Sequence, residues 1–189
     1  VPARLVVLAS GAGTTLQAVL DAESSGELDS RVVAVVVDRP GCGAQQRATA
    51  LGRPVEVVVP ADYPDRPAWD LALAEAVDGH APDLVFCAGF MRVLGPSFLA
   101  RFGDRTLNTH PSLLPRFPGR HAVRDALAAG ATTTGATVHW VDAGVDTGPV
   151  IAQVEVGVQP GDDEASLTAR IQEAERRLVV DTLKELVRP

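Results

Sequence analysis

RLVVLASGAGTTLQAVL, Arg4 to Leu20, joins an apolar run to a helical pattern through a glycine-bearing loop. RLVVLA (Arg4 to Ala9) has almost no polar alternation, as a strand covered on both faces requires. A helix then runs through Leu16, Val19 and Leu20. The unit repeats outward from this segment. RVVAVVVD (Arg31 to Asp38) reads as a second buried strand, ended by Arg39-Pro40-Gly41, with a small helix from Gln45 to Leu51. VEVVV (Val55 to Val59) reads as a third strand. Asp65-Arg66-Pro67 has the acidic cap and early proline of a helix start. Trp69, Leu73, Ala76 and Val77 give that helix one apolar face. LVFCA (Leu84 to Ala88) and TLNTH (Thr106 to His110) read as the fourth and fifth strands. ATVHWV (Ala136 to Val141) and VIAQVEV (Val150 to Val156) alternate more and lie close enough to pair antiparallel. The last helix carries Leu167, Ile171, Ala174 and Leu178 on one stripe. The pattern predicts one α/β domain over residues 1–189: a Rossmann-like open sheet, parallel in its N-terminal part and antiparallel in its C-terminal part, with helices on both faces. In such sheets ligands bind beyond the carboxyl ends of the strands, so the segments after the first, fourth and fifth strands should converge.

Composition bounds the function. The 189 residues are 46% hydrophobic, which excludes disorder. No apolar run reaches the ~20 residues of a membrane helix, and the N-terminal residues lack the pattern of a secretory signal. The expected location is the cytoplasm. A net charge of −7 argues against a general nucleic-acid surface but leaves room for a small anionic ligand. Cys42 and Cys87 are too few for a disulfide framework and are expected as thiols, with Cys87 buried. No His/Cys/Asp spacing matches a zinc site, so no metal is expected. His80 is expected at the surface; His121 and His139 are candidates for the cleft wall.

Two segments carry candidate chemistry. Ser10-Gly11-Ala12-Gly13-Thr14-Thr15 leads a strand into a helix N-terminus, where backbone N–H groups can hold a phosphate. It lacks the third glycine of a dinucleotide loop and the Gly-Lys-Ser/Thr of a Walker loop, and a tight turn with no ligand explains it equally well. In Asn108-Thr109-His110-Pro111-Ser112-Leu113-Leu114-Pro115-Arg116-Phe117-Pro118-Gly119, Asn108 and His110 are two apart and so share one face of a strand. An amide donor beside an imidazole suits an oxyanion that develops during acyl transfer.

This segment resembles the signature of the folate-dependent formyltransferases, and most of all the branch acting on glycinamide ribonucleotide. The likeness extends through SGAG, AGFMRVL (Ala88 to Leu94), GATVHWVDAGVDTGPVI (Gly135 to Ile151) and the final helix. It implies a catalytic set of Asn108, His110 and Asp146. It implies a phosphate and ribonucleotide site at Gly13, Thr14, Thr15 and Glu175. It implies a folate site at Arg66, Met91, Arg92, Val93, Leu94 and the loop Asp142, Ala143, Gly144, Val145 and Asp146. Thr15 stands where the family often has asparagine, and the chain ends soon after the last helix, where many members run on. The implied reaction moves a formyl group from 10-formyltetrahydrofolate, as co-substrate, to the amine of 5′-phosphoribosylglycinamide. Asn108 and protonated His110 would stabilise the tetrahedral intermediate, with Asp146 supporting His110. The partners are then these two small molecules, with no nucleic acid and no membrane, and a homodimer is left open. The alternatives are hydrolysis of the same folate by a deformylase, formyl transfer to methionyl-tRNA, and a non-catalytic nucleotide-binding module. The last would leave Asn108, His110 and Asp146 without a purpose.

Overall fold

Leu5, Val7 and Ala9 point to one side of the first strand and Val6 and Leu8 to the other, and all five are buried. A strand dry on both sides needs helices on both faces. The computed structural model, which describes residues 1–187, supplies them. In chain order the elements are β1 (Ala3–Ala9), α1 (Thr14–Ser24), β2 (Ser30–Val37), α2 (Gly43–Ala50), β3 (Val55–Val57), α3 (Arg66–Asp78), β4 (Leu84–Cys87), α4 (Pro96–Phe102), β5 (Thr106–His110), α5 (Ala122–Ala128), β6 (Thr133–Trp140), β7 (Val150–Gly157) and α6 (Glu164–Leu186). Short 3₁₀ turns at Pro60–Asp62 and Gly103–Arg105 precede α3 and β5.

The seven strands form one sheet in the order β3-β2-β1-β4-β5-β6-β7. β1 to β5 are parallel; β6 runs antiparallel to β5, and β7 to β6. This is the expected mixed, Rossmann-like sheet. The chain winds outward from β1 to β3, then returns to place β4 on β1's other side, so the strand order reverses between β1 and β4. Loops there diverge and leave a crevice at the carboxyl ends of the strands.

Leu16 and Val19 of α1 and Val179 and Leu183 of α6 cover one face of the sheet. Trp69 and Leu73 of α3 and Phe98 and Phe102 of α4 cover the other. Val123 of α5 and Leu167 and Ile171 of α6 close a third cluster over β6 and β7. The buried side of α6 also carries Glu175, while Ala174 and Leu178 are only half-buried; in α3, Ala74 is buried more deeply than Ala76.

Three expectations need correction. The third strand stops at Val57, because the Val58 carbonyl accepts the Trp69 indole N–H at 3.0 Å and the chain turns into Pro60–Asp62. β6 begins at Thr133, with Gly135 packed so closely that a Cβ would strike the Val154 carbonyl. His80 is not a free surface group, since its ring lies 3.1 Å from Glu56 and its carbonyl accepts from Arg4. Two helices, α4 and α5, have no counterpart in the sequence reading. α4 has no local side-chain cap. Its N-terminus is capped from α3 instead: buried Asp70 accepts from the N–H groups of Gly95 at 2.6 Å and Phe98 at 3.1 Å.

That remote cap makes a testable demand. Asp70→Ala leaves two N–H groups without their acceptor and should cost roughly 2–3 kcal/mol of stability. Urea unfolding measures it, and a loss below about 0.5 kcal/mol would show that α4 does not depend on this carboxylate.

Candidate active site

The crevice opens into a cleft of about 620 Å³. Four segments build it: Ser10 after β1, Asp38 and Arg39 after β2, Gly89–Leu94 after β4, and β5 with its following loop. The loop after β6, Asp142 to Asp146, closes the far side. Asn108 and His110 face the cleft from one side of β5, as strand alternation predicts. Thr109 faces the other way, on the side of Leu107 and α6.

His110 is 5% exposed, and its hydrogen bonds can be counted. Its Nε2 is 2.8 Å from the Phe117 carbonyl, which can only accept, so Nε2 carries a hydrogen. Its Nδ1 is 3.3 Å from Asp146 Oδ2. Both ring nitrogens therefore face acceptors, and a proton on each satisfies both contacts. The two partners sit on unusual backbone: Phe117 has φ +52° and Asp146 φ +56°. Left-handed conformations at such residues cost about 1–3 kcal/mol each and cluster at functional sites. Asp146 is held further by the Gly119 N–H, at 2.8 Å from Oδ2.

Asn108 has a partner that the sequence reading left without a role. β5 and β6 pair with Asn108 directly opposite His139. His139 Nδ1 donates to the Trp140 carbonyl at 2.8 Å, which leaves Nε2 to accept from Asn108 Nδ2 at 3.2 Å. The amide is thereby oriented, and one of its two N–H bonds stays uncommitted. His139 was legible only as a cleft candidate, because its role follows from strand register. His121 is exposed at the start of α5 and does not border the cleft.

Burial pushes the Asp146 carboxyl up, but His139, the Gly119 N–H and His110 outweigh it, and the net displacement is downward. His139 Nε2 is 3.7 Å from Oδ1, beyond hydrogen-bond length. Cys87, at the end of β4, is the reverse case: burial pushes its thiol up to about 12, leaving it an inert wall.

Met91, Arg92, Val93 and Leu94 line the cleft opposite Asp142, Gly144 and Val145; Ala143 shares that loop without bordering the cleft. Met91, Val93 and Val145 are more than half exposed and form an apolar rim. Arg66 stands behind this rim, its guanidinium on the Val93 carbonyl and 4.5 Å over the Trp69 ring. The Gly13–Thr15 loop and Glu175 do not border this cleft. Thr15 Oγ1 donates to Glu175 Oε1 at 3.0 Å in a buried contact. Thr14 instead borders a more open groove between α1 and α6, with Arg47 and Arg176 on its walls. Gly13 has φ +74°, and a Cβ there would meet the Ala44 backbone at 2.6 Å, so α2 packing already demands this glycine. No side chain caps α1, whose first N–H groups stay available. No group of three side chains suited to a metal occurs among the described residues, and no helix among them is long and apolar enough to cross a membrane.

The chain matches the formyl transferase family over residues 3–183. It belongs to that family. It is 58% identical, over 98% of its length and 85% of the relative's, to the phosphoribosylglycinamide formyltransferase of Mycobacterium tuberculosis H37Rv. It is 40% identical to the Escherichia coli K12 protein of the same name, over 92% of this chain and 82% of that one. The fold is that of glycinamide ribonucleotide transformylase 1 from Geobacillus kaustophilus, with a TM-score of 0.95 and 42% identity over the whole of both chains.

Two carboxyls give this enzyme opposite pH responses. Asp146 titrates below its unfolded value of about 3.9. It adds stability above that pH, lost as pH falls through the folded value. Glu175 is raised, by burial first, with Thr15 and nearby Thr109 pulling part of the way back. Its folded value lies above the unfolded ~4.3, so stability present in acid is lost as pH rises through the folded value. Glu175→Gln should exceed wild-type stability at pH 7 and match it near pH 4. Asp146→Asn should be weaker at pH 7, with a deficit that shrinks in acid. Urea unfolding across pH 2–8 reads both, with the Asp146 change falling below pH ~4, and curves parallel to wild type would contradict them.

Proposed function

We propose that this enzyme transfers the formyl group of 10-formyltetrahydrofolate to the amine of 5′-phosphoribosylglycinamide, giving N-formylglycinamide ribonucleotide and tetrahydrofolate in purine biosynthesis. The observation that carries the reading is the uncommitted Asn108 N–H beside His110 and Asp146 on the cleft wall. The names of the relatives favour this acceptor. The apolar rim of Met91, Val93 and Val145 suits the flat rings of a folate, and Arg39 and Arg92 on the cleft wall suit its carboxylates. The uncapped start of α1 at Thr14 and Thr15 suits a phosphate, by backbone N–H groups rather than by the Thr15 hydroxyl, which Glu175 occupies.

The amine nitrogen attacks the formyl carbon and forms a tetrahedral centre whose oxygen becomes negative. Asn108 donates its free N–H to that oxygen in a site already oriented by His139, so little reorganisation opposes the step. His110 joins when Nε2–H turns from the Phe117 carbonyl to the oxygen, with Asp146 holding Nδ1. The amine then loses a proton, the bond from carbon to the folate nitrogen breaks, and that nitrogen takes up a proton through His110 or a water. No covalent bond to the protein forms, and the dominant effects are position and electrostatics.

Tetrahydrofolate should appear only when 5′-phosphoribosylglycinamide is present, followed by absorbance during turnover. Equal release without the amine would make the enzyme a deformylase. Asn108→Ala should lower kcat by roughly 10²–10³, the scale for one oxyanion donor, with substrate affinities little changed. Single-turnover rates near wild type would remove Asn108 from the chemistry.

A further inference from the structure

Asp38 is the least expected group on the cleft wall. It directly follows β2, is 3% exposed, and borders the cleft. Its Oδ2 accepts from Arg92 Nε at 2.7 Å, and its Oδ1, also buried, has no partner among the described residues. The strand order β2-β1-β4 gives this pair its meaning. Asp38 follows β2 and Arg92 follows β4, so their contact arches over the end of β1 between them. Ser10 lies at that end and is tied to both neighbours. Its N–H donates to the Gly89 carbonyl at 3.2 Å, its hydroxyl accepts from Met91 N–H at 2.9 Å, and its carbonyl accepts from Arg39. The segment carrying the apolar rim is thus fastened through Ser10 and across the crevice by Asp38.

We infer that Asp38 is a positioning residue for the formyl donor: it holds Arg92, and with it Met91 to Leu94, in the geometry that receives the donor. The inference rests on the proposed folate site. An isolated carboxylate buried in a cleft wall is costly unless paired, and here the pair closes across two loops that Ser10 also ties together. Asp38 acts through Arg92, so its effect falls on donor affinity, while the loop at Gly13 to Thr15 holds its own contacts with α2.

The test is a mutant cycle on the full chain with Asp38→Ala, Arg92→Ala and the double variant. KM for each substrate and kcat are measured, together with the affinity of tetrahydrofolate by fluorescence titration, a readout independent of turnover. Asp38→Ala should raise the donor KM and weaken tetrahydrofolate roughly tenfold. The ribonucleotide KM should stay within about twofold. The double variant should be no weaker than Arg92→Ala alone, and Asp38→Asn, which keeps an acceptor and the volume, should fall between wild type and alanine. Asp38→Asn carries the comparison if Asp38→Ala does not fold. Equal effects on both substrates, or additive effects in the double variant, would overturn the inference. If Arg92→Ala weakens tetrahydrofolate and both Asp38 variants do not, the positioning role fails and the folate site stands. If Arg92→Ala leaves tetrahydrofolate binding unchanged, the donor site itself is misplaced and the inference falls with it.

Discussion

β1 has no wet side, and much of the remaining architecture answers that constraint. With Leu5, Val7 and Ala9 buried under α1 and α6, and Val6 and Leu8 under α3 and α4, neighbours must pair along both edges as well. Helical crossovers then cover both faces, and the direction of winding reverses beside β1. The crevice is therefore a product of core packing. Burying one Val or Leu side chain is worth about 1.5–3 kcal/mol. Left-handed backbone at Phe117 or Asp146 costs about as much per residue. A core of this extent can hold both in place, and both deliver acceptors to His110.

The site is built on the same sheet but closed by its antiparallel part. Parallel strands alone bring Ser10, Asp38, Gly89 and Asn108 to one end. They provide no carboxylate opposite His110. The reversal at β6 sets His139 across from Asn108, and the loop that follows delivers Asp146 to both imidazoles. One antiparallel pairing thus orients the Asn108 amide and brings a carboxylate to His110. Glu175 belongs to the opposite face of the sheet, beside Thr15 and the side of β5 that carries Thr109. A ligand touching both sides must pass over the strand ends, where the ribonucleotide reading needs its phosphate and amine ends to lie.

What the sequence disclosed follows from the range of the interaction involved. Strand identity and the shared face of Asn108 and His110 depend on neighbours two residues apart, and both were readable. The start of α3 was readable because Asp65 caps it locally, at 2.8 Å from the Ala68 N–H. α4 was not, because its capping carboxylate lies on another helix. Asp146 entered only through the family resemblance, since nothing local distinguishes an Asp-Gly loop from a solvated turn. His139 needed register, and Asp38 needed the strand order; neither property exists within a window of sequence.

In the glycine loop, packing supplies a reason for Gly13 that the sequence alone does not show. Gly13 suggests close approach of a phosphate to backbone, yet Ala44 fills the space its side chain would take. Gly43 answers from the other side, where a Cβ would meet the Ala12 carbonyl at 2.5 Å. The two glycines let the loop and the start of α2 touch, and the Ala44 N–H donates to the Gly11 carbonyl at 3.0 Å. Packing therefore sets the loop before any ligand arrives, and the uncapped N–H groups of α1 are held where an anion can use them. Preorganisation and core packing are here one constraint, so a substitution at Gly13 disturbs both at once and cannot separate binding from folding.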